Sequence, residues 1–369
     1  MSTIILVMTC LAIVPIGFCL YTAIRRFLQC IRPNINHNRR IILIILCLFL
    51  LPFLFFTGTW LVILLHLCAF IFITQFLHFL YLRYYKKPLP VITKLYKLCL
   101  LPILCTVLLI SYGFYNVTQI HMTNYTITTH KKLNAPLRIA LLSDLHYGTA
   151  LHKSNLSGYI EMINAQHPDL VVLDGDIVDE STTKEEMSEV FTELSKLKST
   201  YGTFYVYGNH DVLKYRTKTA FTEKELTQTI RDNNITILMD EAYPLRDDVT
   251  LIGHKDATLT RKQGRKSAQE LLDGVDRTDF LLLLDHQPKE LNENDKAGYD
   301  LQLSGHTHAG QVWPLGTFGQ LFGFMEKSYG YRSMDHMQLI VTSGCSVWGM
   351  PIRTQEHNEI VMVTVKSTK

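Results

Sequence analysis

His306 and His308 stand one residue apart in "SGHTHAGQ" (residues 304–311), with Gly305 just before them and Gly310 two beyond. Imidazoles are costly to bury unpaired and glycines lose much chain entropy on folding, so the pattern calls for something that holds both rings. Four more clusters carry related residue types: "SDLH" with Asp144 and His146, "GDIVD" with Asp176 and Asp179, "GNHD" with Asn209, His210 and Asp211, and "DHQP" with Asp285 and His286. Carboxylate, amide and imidazole donors without a thiolate suit borderline divalent ions, Mn²⁺ first, with Fe²⁺ or Zn²⁺ as alternatives. Asp144, His146, Asp176, Asn209, His286, His306 and His308 are too many ligands for one ion with an open position. They fit two ions sharing one carboxylate, roughly 3.5–4 Å apart, which would bind a bridging hydroxide and clamp the attacking and leaving oxygens of a phosphoryl transfer. His210, followed by Asp211, would then remain as an imidazole oriented by a carboxylate, able to protonate a leaving oxygen. Asp179 is expected to support a ligand rather than bind, and Asp285 to be a strand-end residue.

Singly, each cluster has an ordinary explanation: a lone His286 is usually structural, "GNHD" reads as a turn before a helix, and "GDIVD" as a strand end with an Asx turn. Their placement changes the weighing. From Leu137 onward short apolar runs alternate with helical stretches near 153–166, 184–198, 221–233 and 267–272, the pattern of an α/β domain with buried sheets. The runs are "LRIALLSD", "PDLVVLDGD", "GTFYVYGN", "ITILMD", "DVTLIGH", "DFLLLLDH", "YDLQLSGH", "QLIVTSG" and "EIVMVTV". Five of them end in one of the clusters, and open α/β sheets build their sites beyond the carboxyl ends of strands.

In these residues the sequence resembles the calcineurin-like metallophosphoesterase superfamily, whose pattern is D-x-H, G-D-x-x-D, G-N-H-[DE], a separate histidine, then G-H-x-H. Here these read "DLH", "GDIVD", "GNHD", His286 and "GHTH", covering about Leu137 to the end. The resemblance implies a four-layer α/β/β/α sandwich. It assigns Asp144, His146 and His308 to one metal, Asn209, His286 and His306 to the second, Asp176 as the bridge and His210 as the catalytic histidine. The flanks "SDLHYG" and "GHTHAGQ" look like the bacterial membrane-associated branch, with Ala309 where many members have Gly.

The charges divide the chain. Residues 1–143 hold 13 Lys and Arg and no acid; the rest holds 23 against all 33 acids, a net of −10. The overall +3 therefore gives no support for a nucleic-acid partner. Apolar runs at 4–24, 41–82 (broken at Thr57–Thr59) and 98–115 predict about four spanning helices in a membrane region 1–115, the second span also readable as re-entrant. Arg25, Arg26, Arg32, Arg39 and Arg40 in one loop, and Arg83, Lys86, Lys87, Lys94 and Lys97 in another, put both loops in the cytoplasm and residues after Tyr115 outside it. A cleaved signal peptide is disfavoured because the start lacks basic residues. Residues 116–136 read as a tether with room for an edge strand, and 137–369 as the catalytic domain. Cys345 is the only cysteine after the membrane region, so no disulfide forms within that domain.

The resulting expectation is a membrane-anchored hydrolase of a phosphoester or pyrophosphate bond, in a lipid or envelope component. The alternatives are a phosphodiesterase for soluble nucleotides or simple phosphodiesters, and a non-catalytic membrane sensor or scaffold with a phosphate-binding domain. "VWPLGTFGQLFGFMEKSYGY" (312–331) is expected to fold onto the domain's own core; the competing reading is an apolar wall for an acyl chain or the bilayer. Within the third span, Gln75 is expected to hydrogen-bond between helices and His78 to lie at the interface.

Overall fold

The computed structural model describes residues 3–33, 38–55, 58–85, 89–212, 219–259 and 264–368. The chain forms two compact units, residues 1–113 and 114–369.

The first unit is helical: α1 (Thr3–Ile31), α2 (Asn38–Phe55), α3 (Gly58–Tyr84), α4 (Pro90–Lys97) and most of α5 (Leu100–Val117). Among the described residues, α3 and α5 are long and apolar enough to cross a membrane. Thr57, in the expected break, and Lys86 and Lys87, in the second basic loop, lie outside the described residues. Helix α4 was not foreseen in that loop. Gln75 donates to Thr22 Oγ1 at 2.9 Å, linking α3 to α1, and His78 stacks on Tyr96 of α4 at 3.8 Å.

The second unit opens with β1 (Ile120–Thr129) and continues β2 (Leu137–Leu142), α6 (Lys153–Asn164), β3 (Leu170–Asp174), α7 (Lys184–Leu194), β4 (Thr203–Val206), α8 (Glu223–Asp232), β5 (Ile235–Ile237), β6 (Glu241–Arg246) and β7 (Val249–Gly253). Then come β8 (Phe280–Leu284), α9 (Leu291–Ala297), β9 (Leu301–Ser304), α10 (Leu315–Leu321), β10 (Gly330–Ser333), β11 (Gln338–Val341) and β12 (Asn358–Ser367). One six-stranded sheet runs β1-β12-β2-β3-β4-β5 and the other β10-β11-β9-β8-β7-β6. Four adjacent strands in each are parallel. The central strands do not alternate apolar with polar, because both faces of each sheet are covered: "LVVLD" and "FLLLL" are buried at every position.

Three apolar layers follow from the alternation of Cβ directions along each strand. Leu141, Val172, Phe204, Leu251, Leu282 and Val363 fill the space between the sheets. Residues of opposite parity, such as Leu142 and Leu173, pack under α6, α7 and α8 with Ile160 and Phe191. Leu281, Leu283 and Leu339 pack with Leu271 and Leu291 on the far side. The result is the expected α/β/β/α arrangement. Helices α7 and α8 each begin at a capping box, Thr183 with Glu186 and Thr222 with Glu225.

The tether's allowed edge strand is present, and three other local features depart from expectation. The edge strand allowed in the tether occupies 120–129 and pairs in parallel with the whole of β12. Residues 267–272 supply only a 3₁₀ turn, Glu270–Leu272. Strands β6 and β10 are sheet edges; "EAYPLR" and "GYRS" lack an apolar run, and Pro244 is tolerated beside a bulge on an edge. Helices α9 and α10 are short, seven residues each, with no apolar periodicity to announce them.

Candidate metal centre

The ends of β2, β3, β4, β8 and β9 deliver the five clusters to one place. Two groups of three side chains converge, Asp144 with His146 and His308, and Asp176 with His286 and His306, the ligating atoms of each group lying within 4.8 Å of one another. Between the groups, His146 Nε2 is 3.9 Å from Asp176 Oδ2; within the second, His286 Nε2 is 3.1 Å from the same oxygen. His146 and His308 face each other with their Nε2 atoms 3.2 Å apart, and His308 Nε2 is 3.4 Å from Asp144 Oδ1. Asn209 lines the same cleft.

Backbone conformation makes this convergence possible. Asp144, His146, Asp176, His306 and His308 all have positive φ, between 42° and 67°. That left-handed region is uncommon for side-chain-bearing residues and costs roughly 1–3 kcal/mol each, so surrounding contacts must hold it. Gly305 answers the opening pattern in part: a Cβ there would collide with Ser143 Oγ and Asp144 Oδ2, so only glycine lets β9 approach the end of β2. His306 N then donates to both oxygens of Asp144, at 3.1 and 3.0 Å.

The other faces of the rings are tied down. His286 Nδ1 meets the Asp174 carbonyl at 2.7 Å, His308 Nδ1 the Ser346 carbonyl at 3.3 Å, and His146 Nδ1 lies 3.4 Å from Asp179 Oδ2. Asp179 thus stands behind a candidate ligand, the support expected of it. Such outer contacts fix ring orientation at metal sites. Asp285 does more than end a strand: its carboxylate accepts from Arg265 at 2.8 Å and faces His254 Nδ1 at 3.1 Å.

His210 and Asp211 part company. Asp211 accepts from the backbone amides of Asp176, Ile177, Val178 and Gly208 at 2.6–3.2 Å, so it holds the "GDIVD" turn and does not orient His210. The carboxylate beside the imidazole is Glu180, whose Oε2 is 2.8 Å from His210 Nδ1. The expected pairing of neighbours fails because residues adjacent in the chain point in different directions at this turn.

Charge follows burial and partners. Burial, reinforced by neighbouring His146, holds His308 well below the ordinary histidine range, and burial with His286 nearby brings His306 down to about 4. Both rings are therefore neutral, the state a ligand needs. Burial would raise the Asp176 carboxyl, but His286 beside it outweighs this and holds it far below the usual range. His210 is pulled down by burial and raised more strongly by Glu180 and the nearby carboxylates.

These residues fit a pair of divalent ions. Among the described residues, Asn209 Oδ1 is buried without a hydrogen-bond partner, an orphaned acceptor on a residue that lines the cleft, and the donor set contains nitrogen and oxygen only. The cleft, of about 650 Å³, is otherwise mostly apolar: Val312, Leu315, Met325, Trp348 and Met350 line it beside Thr307 and Gln311.

The sequence profile of calcineurin-like phosphoesterases matches residues 137–310. These residues form a calcineurin-like phosphoesterase domain. A metallophosphoesterase of Helicobacter pylori is 33% identical over 231 residues, 62% of this chain and 60% of that protein. A "transmembrane protein with metallophosphoesterase domain" of Danio rerio is 29% identical over 283 residues, 72% of this chain and 62% of its own length. YkuE, a metallophosphoesterase of Bacillus subtilis, is 28% identical over 278 residues, covering 70% of this chain and 90% of its own. The chain thus spans about 60% of the length of the first two relatives. The phosphoesterase domain extends past the matched segment, because β11 and β12 complete its two sheets.

Two further residues brace the candidate centre. Arg353, fully buried, donates to the carbonyls of His308, Ser343 and Ser346 at 2.8–3.0 Å. Gln311, the last residue of the octet, donates to the carbonyls of Trp348, Met350 and Ile352 at 3.1–3.2 Å. A fully buried arginine so near the chain's end has no sequence signal; Glu180, directly after "GDIVD", had one in its position.

The 312–331 segment differs from its expectation. Val312 is buried, but most of the segment's large apolar residues are not: Leu321, Phe322 and Phe324 are 71%, 66% and 65% exposed.

Proposed function

We propose that this chain is a membrane-anchored, metal-dependent phosphoesterase that hydrolyses a phosphoester or pyrophosphate bond of a lipid or envelope component. The observation that carries this reading is the meeting of two ligand groups around Asp176, all buried but the half-buried His306, with His210 lining the same cleft. Asp144, His146 and His308 would hold one ion, and Asn209, His286 and His306 the other, with Asp176 shared. When bound, two such ions, Mn²⁺ by preference, supply Lewis acidity to the phosphoryl oxygens and a nucleophilic water at neutral pH. His210, with Nδ1 occupied by Glu180, carries a proton on Nε2 and delivers it to the leaving oxygen. The apolar lining beyond it receives the remainder of the substrate and excludes water.

The membrane region would carry four spans, with both basic loops in the cytoplasm and the phosphoesterase domain on the opposite side. The distribution of Arg and Lys, with none before Arg25, supports this orientation. Only Thr118 and Gln119 lie between α5 and β1, a covalent link that keeps the domain close to the bilayer. Protease added to intact cells should cut the domain; cutting only in inverted vesicles would reverse the orientation.

The test of activity is a comparison of the Mn²⁺-loaded full chain with Asp176→Asn on a membrane-lipid extract and on a pool of soluble phosphoesters, read by mass spectrometry. A lipid changed only by the wild type supports the proposal. Turnover confined to soluble phosphoesters favours the nucleotide-type alternative, and none at all with metal bound favours a scaffold.

A further inference from the structure

Beyond the centre itself, the phosphoesterase domain carries one surface that its fold does not need. Of the nine large apolar side chains exposed among the described residues between 120 and 368, seven are Trp348 or lie between Trp313 and Phe324. The rings of Phe318, Phe322 and Phe324 form a chain, with centroids 5.9 and 6.5 Å apart. This is a contiguous patch, and contiguous exposed apolar patches mark binding surfaces.

The patch is built onto the metal centre. At its base, Gly310 and Gly316 bring two backbones together so closely that a Cβ on either would strike the other segment. Thr307, between the two histidines, donates to the Ser328 carbonyl at 2.6 Å. Glu326 accepts from Glu290 N and Leu291 N at 2.9 and 3.2 Å, fastening the segment's far side to the start of α9. The feet are fixed while the tip, Phe318 to Phe324, carries its side chains outward. Behind the tip, Leu315 and Met325 line the cleft that reaches His210, His306 and His308, and Trp348 stands 5.2 Å from the His210 ring.

The chemistry of the tip identifies its occupant. Trp, Phe and Leu with basic residues close behind, here Lys327 and Arg332, are the composition of elements that lie in a bilayer interface with anionic headgroups. The same chain has helices able to cross a membrane, the last of them two residues from β1. We infer that the 313–324 loop inserts into the leaflet beside the domain and that the adjoining apolar cleft, lined by Val312, Leu315, Met325, Trp348 and Met350, takes the acyl end of a phospholipid-like substrate, setting its phosphate at the metal centre. This rests on the phosphoesterase reading above and specifies how substrate enters.

The chain's three tryptophans are Trp60, Trp313 and Trp348, so Trp60→Phe leaves tryptophan emission, excited selectively over tyrosine, only from this surface. The full chain carrying Trp60→Phe is placed in nanodiscs of phosphatidylglycerol and phosphatidylcholine, with and without dibrominated acyl chains. Bromine is expected to quench the emission at least about twofold. Adding Leu321→Ser, Phe322→Ser and Phe324→Ser should remove most of that quenching and lower turnover of bilayer phosphoester about tenfold, with turnover of a soluble chromogenic phosphodiester and metal content within about twofold of wild type. Emission indifferent to bromine overturns the inference, whatever the soluble turnover. Unchanged bilayer turnover in the triple variant does the same. Absence of soluble turnover in metal-loaded wild type would instead strike the phosphoesterase reading, leaving the quenching result to judge the loop by itself.

Discussion

His210 Nδ1 stands 2.8 Å from Glu180 Oε2, while the carboxylate of Asp211, next to His210 in the chain, turns away to accept four backbone amides. The two acids therefore have separable consequences. Glu180→Gln should lower kcat about 10–100-fold, the usual effect of removing an orienting partner, with KM and metal content little changed. Asp211→Asn should instead lower the melting temperature, because an amide cannot accept from all four donors. Steady-state kinetics beside metal analysis and thermal unfolding distinguish them; equal kcat losses with equal melting temperatures would contradict the division.

Gly305→Ala tests whether close approach of β9 to β2 builds the site. A methyl group would meet Ser143 Cβ at 2.8 Å and strike Asp144 Oδ2, the carboxylate held by His306 N. The variant should keep its fold and bind less metal, read by elemental analysis after dialysis. Full metal content with wild-type turnover would show that the strands yield more than their packing suggests.

Arg353 gathers three carbonyls around its guanidinium in a site without solvent access. Arg353→Met should leave buried acceptors unpaired, at about 1–3 kcal/mol for each affected group, and loosen His308 through its own carbonyl. A fall in melting temperature together with weaker metal binding is expected; loss of only one would separate the structural from the positioning effect.

Glu359 gives the domain an acid-side dependence. Burial pushes its carboxyl up, but hydrogen bonds involving His357, Thr123, Ser343 N and Thr342 outweigh this and hold it below the ordinary range. A depressed folded pKa means that its stabilisation is fully present above about pH 4.3 and fades as pH falls through the lower folded value. Melting temperatures recorded from about pH 6 down to about pH 3 should therefore fall more steeply in wild type than in Glu359→Gln.

Much of this was legible because metal chemistry constrains residue type and strand ends constrain position. Asp144, His146, Asp176, Asn209, His286, His306 and His308 stood in clusters whose residue types suggested the metal and whose neighbouring apolar runs suggested the sheets. What escaped was set by direction in space. Glu180 fills the role expected of Asp211 because a turn decides which way each carboxylate faces. Arg353 acts through main-chain carbonyls, which leave no trace in sequence. Strands β6 and β10 escaped because edges need no continuous apolar run, and the 312–331 segment was misjudged because its apolar content does not say which side of it faces inward.

The pairing of β1 with β12 bears on how the domain can be handled. All ten residues from Ile120 to Thr129 lie in register with Asn358 to Ser367, and the Thr123 hydroxyl reaches the buried Glu359. A soluble fragment trimmed at Leu137, where the family match begins, would strip β12 of that neighbour and expose a long row of unsatisfied amides and carbonyls on an apolar strand. Such a fragment should self-associate through the bared edge, whereas one that starts at Thr118 keeps β12 covered and should self-associate less.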